Sequence, residues 1–280
     1  MSQRRSTLTR NARWILSAFI LVSAHADAAL RYEYRENLVA ENRIKSTNMT
    51  ARAVLDGERG RIDILSGDRY TPGTFILRDG GTRLFFVDPV RKQYDEVPLP
   101  KGPDPQAAQR VTITNPKIEF QEIGDGPVIA GYPTRHYRLS SSYDMSVMLG
   151  TVAIRQKVDA VIDKWTTTAF DHIVAQYLDE RDVLTGKPDV DALLEAESNK
   201  FKGLTLKQRT VITTTPAKGM KGSKLNLPAS RQRVREMEVT KIEEVPVAAD
   251  LFSIPSDFKK SDDKPAQTPV HYLTMEPVKP

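Results

Sequence analysis

The chain of 280 residues contains no cysteine. Disulfide bonds, thiol catalysis and zinc sites built on thiolates are therefore excluded. A lipid anchor of the bacterial lipoprotein type is excluded as well, because that anchor is attached to a cysteine placed directly after the signal sequence. The fold must be held together by packing, hydrogen bonds and ion pairs alone.

Histidine is nearly as scarce, with four residues in the whole chain. Three of them, His136, His172 and His271, lie beyond the N-terminal segment, and no two are within one helical turn of each other. The usual spacings of zinc ligands are thus missing. His136 lies in an alternating segment, Thr134–Arg138, where an ordinary strand histidine is the simplest interpretation. We therefore expect no metal and no cofactor.

Motifs for covalent catalysis and phosphate binding are also missing. No Gly-x-Ser-x-Gly elbow surrounds Ser140–Ser142. Gly219–Lys224 resembles a phosphate-binding loop, but Ser223 precedes Lys224 where the motif requires the reverse order. The 36 acidic residues offer many possible pairs of carboxyl groups, and glycoside hydrolysis requires such a pair. The sequence favours a non-enzymatic protein, with an unrecognised hydrolase as the weakest alternative.

Long apolar runs are confined to the N-terminus. Arginines precede an apolar stretch, Trp14–Ala24, whose length is typical of a signal peptide and short for a membrane span. Small residues follow and offer cleavage sites after Ala26 and after Ala28. We interpret residues 1–28 as a signal peptide, predict a periplasmic location, and expect no stable membrane span after cleavage. An uncleaved membrane anchor is the alternative.

Net charge is modest once this segment is set aside. The whole chain carries 41 basic and 36 acidic residues, a net charge of +5. Residues 1–28 hold four arginines and one aspartate, so their removal leaves 37 basic and 35 acidic residues, a net charge of +2. Charges of both signs are interspersed, which does not suggest a nucleic acid partner.

The segment Asp56–Val97 is divided by turn signals into short stretches of β-forming residues. The turn signals are Asp56-Gly57, Gly67-Asp68, Pro72-Gly73, Asp79-Gly80-Gly81 and Asp88-Pro89. Glycine adopts positive φ without steric cost, which tight hairpins require. This pattern predicts an antiparallel meander, with strands near residues 58–65, 74–77, 84–87 and 94–97.

The remainder of the chain is also predominantly β. Strands are predicted near residues 30–35, 47–55, 111–114, 117–123, 134–142, 204–215 and 229–244, with a pair of long strands within 143–168. Apolar residues at helical spacing predict helices at Asp171–Asp182 and Pro188–Lys202, together a helical insert over 171–202. Leu251, Phe252 and Ile254 are available to close one end of the sheet. We predict one domain over 29–258 and a disordered tail over 259–280.

Apolar side chains spread over many strands are the main candidates for a ligand site. They are Phe75, Leu77, Leu84, Phe86, Ile118, Phe120, Tyr137, Leu139 and Met148. If all of them face one side of a curved sheet, they line a hydrophobic cavity. A core packed solid by the two helices is the equally weighted alternative.

Several segments resemble a known family. They are Tyr32-x-Tyr34, Asp56–Asp63, Leu84–Pro89 with Lys92 and Tyr94, Ile129–Thr134, and Phe252–Pro255. Together they are similar to a family of exported bacterial proteins of unassigned function, related in fold to the periplasmic lipoprotein-sorting carriers and their outer-membrane receptor (LolA/LolB-like). The resemblance covers roughly residues 29–258.

The resemblance implies a mainly β (α+β) fold, in which a strongly curved antiparallel sheet forms an incomplete barrel and helices cover its concave side. In the carriers that hollow holds acyl chains. The expected function is therefore non-enzymatic binding or carriage of a lipid, an acyl chain or a lipid-modified protein partner. A periplasmic structural or protein-interaction module without a cavity is the alternative, and the sequence predicts no oligomeric state.

The signal-peptide interpretation predicts the first residue of the exported protein. Mass spectrometry of the protein purified from the periplasmic fraction of an expressing bacterium should give a chain that starts at Asp27 or Ala29, because both sites follow an Ala-x-Ala pattern. A chain that retains Met1 and sediments with the inner membrane would indicate the uncleaved anchor.

Overall fold

A computed structural model describes residues 29–40, 46–80, 83–98, 111–149, 152–172, 188–217 and 230–261. The signal peptide, the basic loop around Gly219–Lys224, most of the tail and all but two residues of the helix predicted at Asp171–Asp182 lie outside these ranges. The interpretations of those segments remain predictions. The first residues of the predicted disordered tail, Lys259 and Lys260, instead form a strand of the sheet, so the described fold extends past the predicted boundary at residue 258.

Twelve strands make up almost all of the described secondary structure. They are β1 (Ala29–Ala40), β2 (Thr47–Asp56), β3 (Arg59–Gly67), β4 (Phe75–Asp79), β5 (Arg83–Asp88), β6 (Gln93–Pro98), β7 (Val111–Asp125), β8 (Arg135–Leu149), β9 (Val152–Thr167), β10 (Leu204–Pro216), β11 (Arg231–Val245) and β12 (Lys259–Lys260). One α-helix, α1 (Pro188–Ser198), and one 3-10 helix, Ala249–Phe252, complete the elements of the described ranges.

The strands form one unclosed sheet in the order β12-β6-β5-β4-β3-β2-β1-β11-β10-β9-β8-β7. Apart from β12, which pairs with β6 in parallel, neighbours within each half are successive in sequence and antiparallel. The two halves meet where β1 pairs with β11 over twelve residue pairs, from Ala29 with Val245 to Ala40 with Arg233. The prediction of a mainly β, antiparallel and incompletely closed sheet is confirmed.

Glycines occupy the turns that separate the strands. Gly57 and Gly80 have φ of 58° and 88°, which confirms the Asp-Gly turns read from the sequence. Gly67 has φ of 120°, and a Cβ atom built there would lie 2.3 Å from the carbonyl oxygen of Asn48. Strands β2 and β3 therefore approach each other more closely at Gly67 than any other residue would allow.

The predicted helical cover of the concave side is not supported. Within the described residues α1 is the only α-helix, and it packs against β7, at one edge of the sheet. Its 11 residues span about 16 Å, whereas the twelve strands are spaced about 4.8 Å apart, so α1 is too short to cover the sheet. Of its apolar side chains, Val190 is buried and Leu193 is 48% exposed.

Alternation along each strand divides the sheet into two faces. We call face 1 the side that carries Tyr32, Tyr34 and Leu139, and face 2 the side that carries Phe75 and Leu77; cross-strand pairing relates the other residues to these. Each face has its own core. The core of face 1 includes Leu30, Tyr32, Tyr34, Met49, Ala51, Ala53, Leu55, Ile64, Val239 and Ile242.

The core of face 2 lies under the C-terminal segment. Phe252 is 5% exposed and packs there with Val54, Phe75, Leu77, Phe85 and Val87, and partly buried Leu251, Ile254 and Phe258 contact the same cluster. The chain then adds β12 in parallel to β6, so the edge of the meander is covered. The segment predicted to close one end of the sheet thus packs on a face of it.

Strand β8 differs from the prediction in length. It runs without interruption from Arg135 to Leu149, whereas the sequence suggested a break between Ser142 and Tyr143. Polar residues such as Ser140–Ser142 resemble a strand end, but here they alternate between the two faces of a continuous ladder with β9. Strand β8 ends at Leu149 and β9 begins at Val152, on either side of the turn that the sequence predicts near Gly150.

Replacement of Leu77 should test the face 2 core. Leu77 is 1% exposed in that core, so Leu77→Ala should lower the free energy of unfolding by about 2–5 kcal/mol through lost burial and a residual cavity. Leu65→Ala is the matched control, because Leu65 is 39% exposed and its truncation should cost less than about 1 kcal/mol. Urea titrations that give both variants the same loss would contradict the assignment.

Candidate functional site

A groove of about 780 Å³ lies between α1 and strands β7, β8 and β9. It is lined by Pro116, Lys117, Ile118, Glu119, Ser140, Ser141, Ser142, Asp159, Ala160, Val161 and Leu193. Ile118, Ser141 and Ala160 pair across the three strands and share face 1, so they form one cross-strand row. Leu193 of α1 stands opposite that row.

Small side chains explain why a groove exists here. Ser141 pairs with Ala160, and the flanking pairs on the same face are larger: Leu139 with Ile162 on one side, and Tyr143 with Val158 on the other. Leu139, Ile162 and Val158 are buried, and burial raises the pKa of Tyr143. A row of small residues between two rows of large ones leaves a channel that runs across the strands.

An aromatic cluster lies beside the groove on the same face. The ring centroids of Phe120 and Tyr137 are 5.6 Å apart, and Phe201 lies 5.3 Å from Phe120 and 6.0 Å from Tyr137 in edge-on contacts. The ammonium of the buried Lys164 lies 4.2 Å from the centroid of Phe201. The predicted helix Pro188–Lys202 included Phe201, whereas α1 ends at Ser198 and Phe201 packs on the strands.

The nine predicted site residues do not share one face. Leu84, Phe86, Ile118, Phe120, Tyr137 and Leu139 lie on face 1, whereas Phe75, Leu77 and Met148 lie on face 2. The reason is the register between β4 and β5, in which Phe75 pairs with Val87 and Leu77 pairs with Phe85. The expectation that all nine line a single surface is therefore wrong.

Four of the nine come together at the groove. Ile118 lines it, and Phe120, Tyr137 and Leu139 form the adjoining wall and aromatic cluster. Leu84 and Phe86 lie on β5, at the other end of the sheet order. Phe75 and Leu77 belong to the face 2 core, and Met148 is 41% exposed. Ligand binding by any of them remains a prediction.

A buried ion-pair cluster on face 1 was not anticipated. Glu36 is 4% exposed and accepts a hydrogen bond from Arg235, whose Nη2 lies 3.0 Å from Glu36 Oε2. Arg69 forms a second ion pair with Glu36, and burial lowers the pKa of Arg69 and raises that of the neighbouring Tyr70. The residues come from β1, β11 and the turn after β3, so only the folded chain brings them together.

His136 is part of a polar contact on face 2. Its Nε2 and the Nε of Arg138 each lie 2.8 Å from Oδ1 of Asp163, which is 4% exposed. The imidazole also stacks on Trp165, with ring centroids 4.5 Å apart. The arrangement gives the buried carboxylate two partners and joins β8 to β9. Among the residues the structure describes, no cluster of three potential metal ligands is found.

Comparisons with known proteins give structural similarities alone. No protein-family model and no curated protein match the chain. A domain from Vibrio parahaemolyticus, provisionally described as an outer membrane lipoprotein-sorting protein domain, is 10% identical, with 80% of this chain and 88% of that chain covered and a TM-score of 0.29. A DUF1329 family protein from Desulfovibrio piger is 5% identical, with 80% and 89% covered and a TM-score of 0.27.

At these identities and TM-scores, the two similarities carry no argument about fold or function. What this protein does must be argued from its own groove and its own charged residues.

Substitution of Arg138 should show that Asp163 needs its partners. Arg138→Ala leaves the buried carboxylate with His136 alone, so the free energy of unfolding should fall by about 1–3 kcal/mol. Adding Asp163→Asn should restore part of that loss, because the buried charge is then removed. Arg135→Ala on the same strand is the control: Arg135 contacts Glu122 and Asp125 on the exposed surface, and its loss should have little effect.

Proposed function

We propose that the protein is a non-enzymatic periplasmic binding protein whose groove holds an acyl chain, either of a lipid or of a lipid-modified protein. The observation that carries the proposal is the row Ile118–Ser141–Ala160, which leaves a channel between walls of large, mostly apolar residues. Catalytic motifs are missing from the sequence, so the groove is assigned a binding role.

The volume of the groove is compatible with a small-molecule ligand. Its volume of about 780 Å³ falls within the range of about 300–1,000 Å³ that small-molecule sites occupy. Each methylene group removed from water would contribute about 0.8 kcal/mol, so a long acyl chain gains affinity from length alone. The aromatic rings of Phe120 and Phe201 lie beside the groove and would contact part of such a chain.

The proposed location rests on the N-terminal segment. Residues 1–28 have the charge and length pattern of a signal peptide, and the absence of cysteine is compatible with an oxidising compartment. Within the described ranges, no helix has both the length and the apolar character that crossing a bilayer demands.

A protein-interaction module is the second candidate. Ile123 and Val128 lie at or just beyond the C-terminal end of the edge strand β7 and are 48% and 68% exposed. Neighbouring exposed apolar residues at a sheet edge are compatible with a protein partner. The groove assay below separates the two candidates, because an interaction module without a cavity would take up no free acyl chain.

Filling the groove should weaken ligand binding. Ala160→Leu places a larger side chain in the row of small residues, so the affinity for a fluorescent fatty acid should fall at least about tenfold, or about 1.4 kcal/mol. Ala169→Leu makes the same change at an exposed position after β9 and should bind like the unmodified protein.

Thermal unfolding of both variants controls for general destabilisation. Binding that is equal in the unmodified protein and in Ala160→Leu would place the ligand elsewhere. A failure of the unmodified protein to bind any amphiphile would contradict the proposed function and favour the interaction module.

A further inference from the structure

Strand β11 carries three arginines on one face, close to the groove. Arg231, Arg233 and Arg235 alternate with Gln232 and Val234, so all three project on face 1. Pairing with β10 confirms the assignment, because Arg233 lies beside Ile212 and Arg235 beside Thr210.

The cross-strand row at the bottom of the groove continues directly to these arginines. Ile118 pairs with Ser141, Ser141 with Ala160, Ala160 with Ile212, and Ile212 with Arg233. Four strand spacings of about 4.8 Å separate Ile118 from Arg233, so the row is about 19 Å long. The Ile118 end of the row is apolar and the Arg233 end is cationic. An anionic amphiphile lying across the strands would match this arrangement, with its apolar chain towards Ile118 and its headgroup at Arg233.

Arg235 is held in place at the cationic end. Its Nη2 donates to Glu36, which also pairs with Arg69, while the Arg235 side chain remains 41% exposed. A guanidinium has five N–H donors in a planar fork, so it can bind Glu36 and a second oxyanion at the same time. Arg233, one row nearer the groove, is half-buried.

Three arginines of face 2, Arg31, Arg52 and Arg209, each lie opposite a glutamate of a neighbouring strand, at 2.7, 2.7 and 3.0 Å. On face 1, Arg233 and Arg235 follow each other about 7 Å apart along β11, at the end of the apolar row. This spacing allows one oxyanion to lie between the two side chains.

We propose that Arg233 and Arg235 bind the carboxylate or phosphate headgroup of the amphiphile whose chain lies in the groove. The inference rests on the proposed function, because the groove supplies the apolar half of the site. The shared chemistry is an oxyanion accepting charge-assisted hydrogen bonds from guanidinium groups. The apolar chain then extends from Ile212 over Ala160 and Ser141 towards Ile118.

The test compares two probes of equal chain length in the intact mature protein. Palmitate carries the oxyanion, and hexadecanol carries an uncharged hydroxyl group. By calorimetry, the unmodified protein should bind palmitate more tightly, and Arg233→Gln should weaken palmitate binding about tenfold while leaving hexadecanol binding unchanged. Arg233→Lys should keep part of the preference, because it retains the charge and loses the fork.

Arg209→Gln is the matched control. It removes an arginine from the adjacent strand on face 2, where it pairs with Glu236, and should leave the binding of both probes unchanged. Thermal unfolding identifies any variant that is misfolded. Arg235 is left intact, because its removal would also take a partner from the buried Glu36.

The outcomes separate the two proposals. Equal binding of both probes by the unmodified protein and by Arg233→Gln would overturn the headgroup site and leave the groove in place. Binding of neither probe would overturn the proposed function. Inorganic phosphate is titrated alone in a third experiment. If phosphate binds and Arg233→Gln abolishes its binding, the oxyanion site is supported and free phosphate is one of its ligands. If phosphate does not bind while palmitate is preferred over hexadecanol, the site is assigned to a lipid headgroup.

Discussion

The pairing of β1 with β11 joins the two halves of the sheet. Twelve residue pairs connect segments that are about 200 positions apart in the sequence, and every other pairing of the described strands, except that of β12 with β6, joins neighbours in one half. Without this ladder, the meander β2–β6 and the stack β7–β10 would be separate sheets. A bulge after Glu33 accommodates one extra residue of β11, and Thr240 donates a hydrogen bond to the carbonyl oxygen of Glu33 there.

The same ladder decides which charges face the groove. It places Arg235 of β11 beside the strand that carries Glu36, and it aligns Arg233 with the row that passes through Ile212 and Ala160. A slip of one residue would turn all three arginines of β11 to face 2 and remove the cationic end of the groove. The proposed site therefore depends on the bulge after Glu33, because the bulge sets the register that places the arginines of β11 on face 1.

The two faces of the sheet have different physical roles. Face 2 of the central strands carries cross-strand ion pairs such as Arg52 with Glu33, which are partly exposed and contribute little stability individually. It becomes apolar where the C-terminal segment covers β3, β4 and β5. Face 1 carries the larger apolar core, in which the buried Glu36 is compensated by two arginines. The proposed groove lies on this face.

Much of the fold could be predicted from the residue types within short segments of the chain. Asp-Gly turns at Gly57 and Gly80 were identified because glycine alone adopts positive φ cheaply, and the strands between the turns followed from β-branched and aromatic residues. The start of α1 at Pro188 was also predicted, because the fixed φ of proline suits the first position of a helix. The faces of β5 were not predicted, because Leu84–Val87 is apolar at four successive positions and therefore contains no alternation.

The sequence by itself determined the class of fold, the turns and most of the strands, because these depend on residues within a few positions of each other. It also predicts a signal peptide over residues 1–28, and its lack of cysteine excludes thiol chemistry. Tertiary structure alone decided that Phe75 and Phe86 lie on opposite faces, that Ser141 meets Ala160, and that Arg235 meets Glu36. Those contacts depend on strand register across long sequence separations, and no local pattern encodes that register.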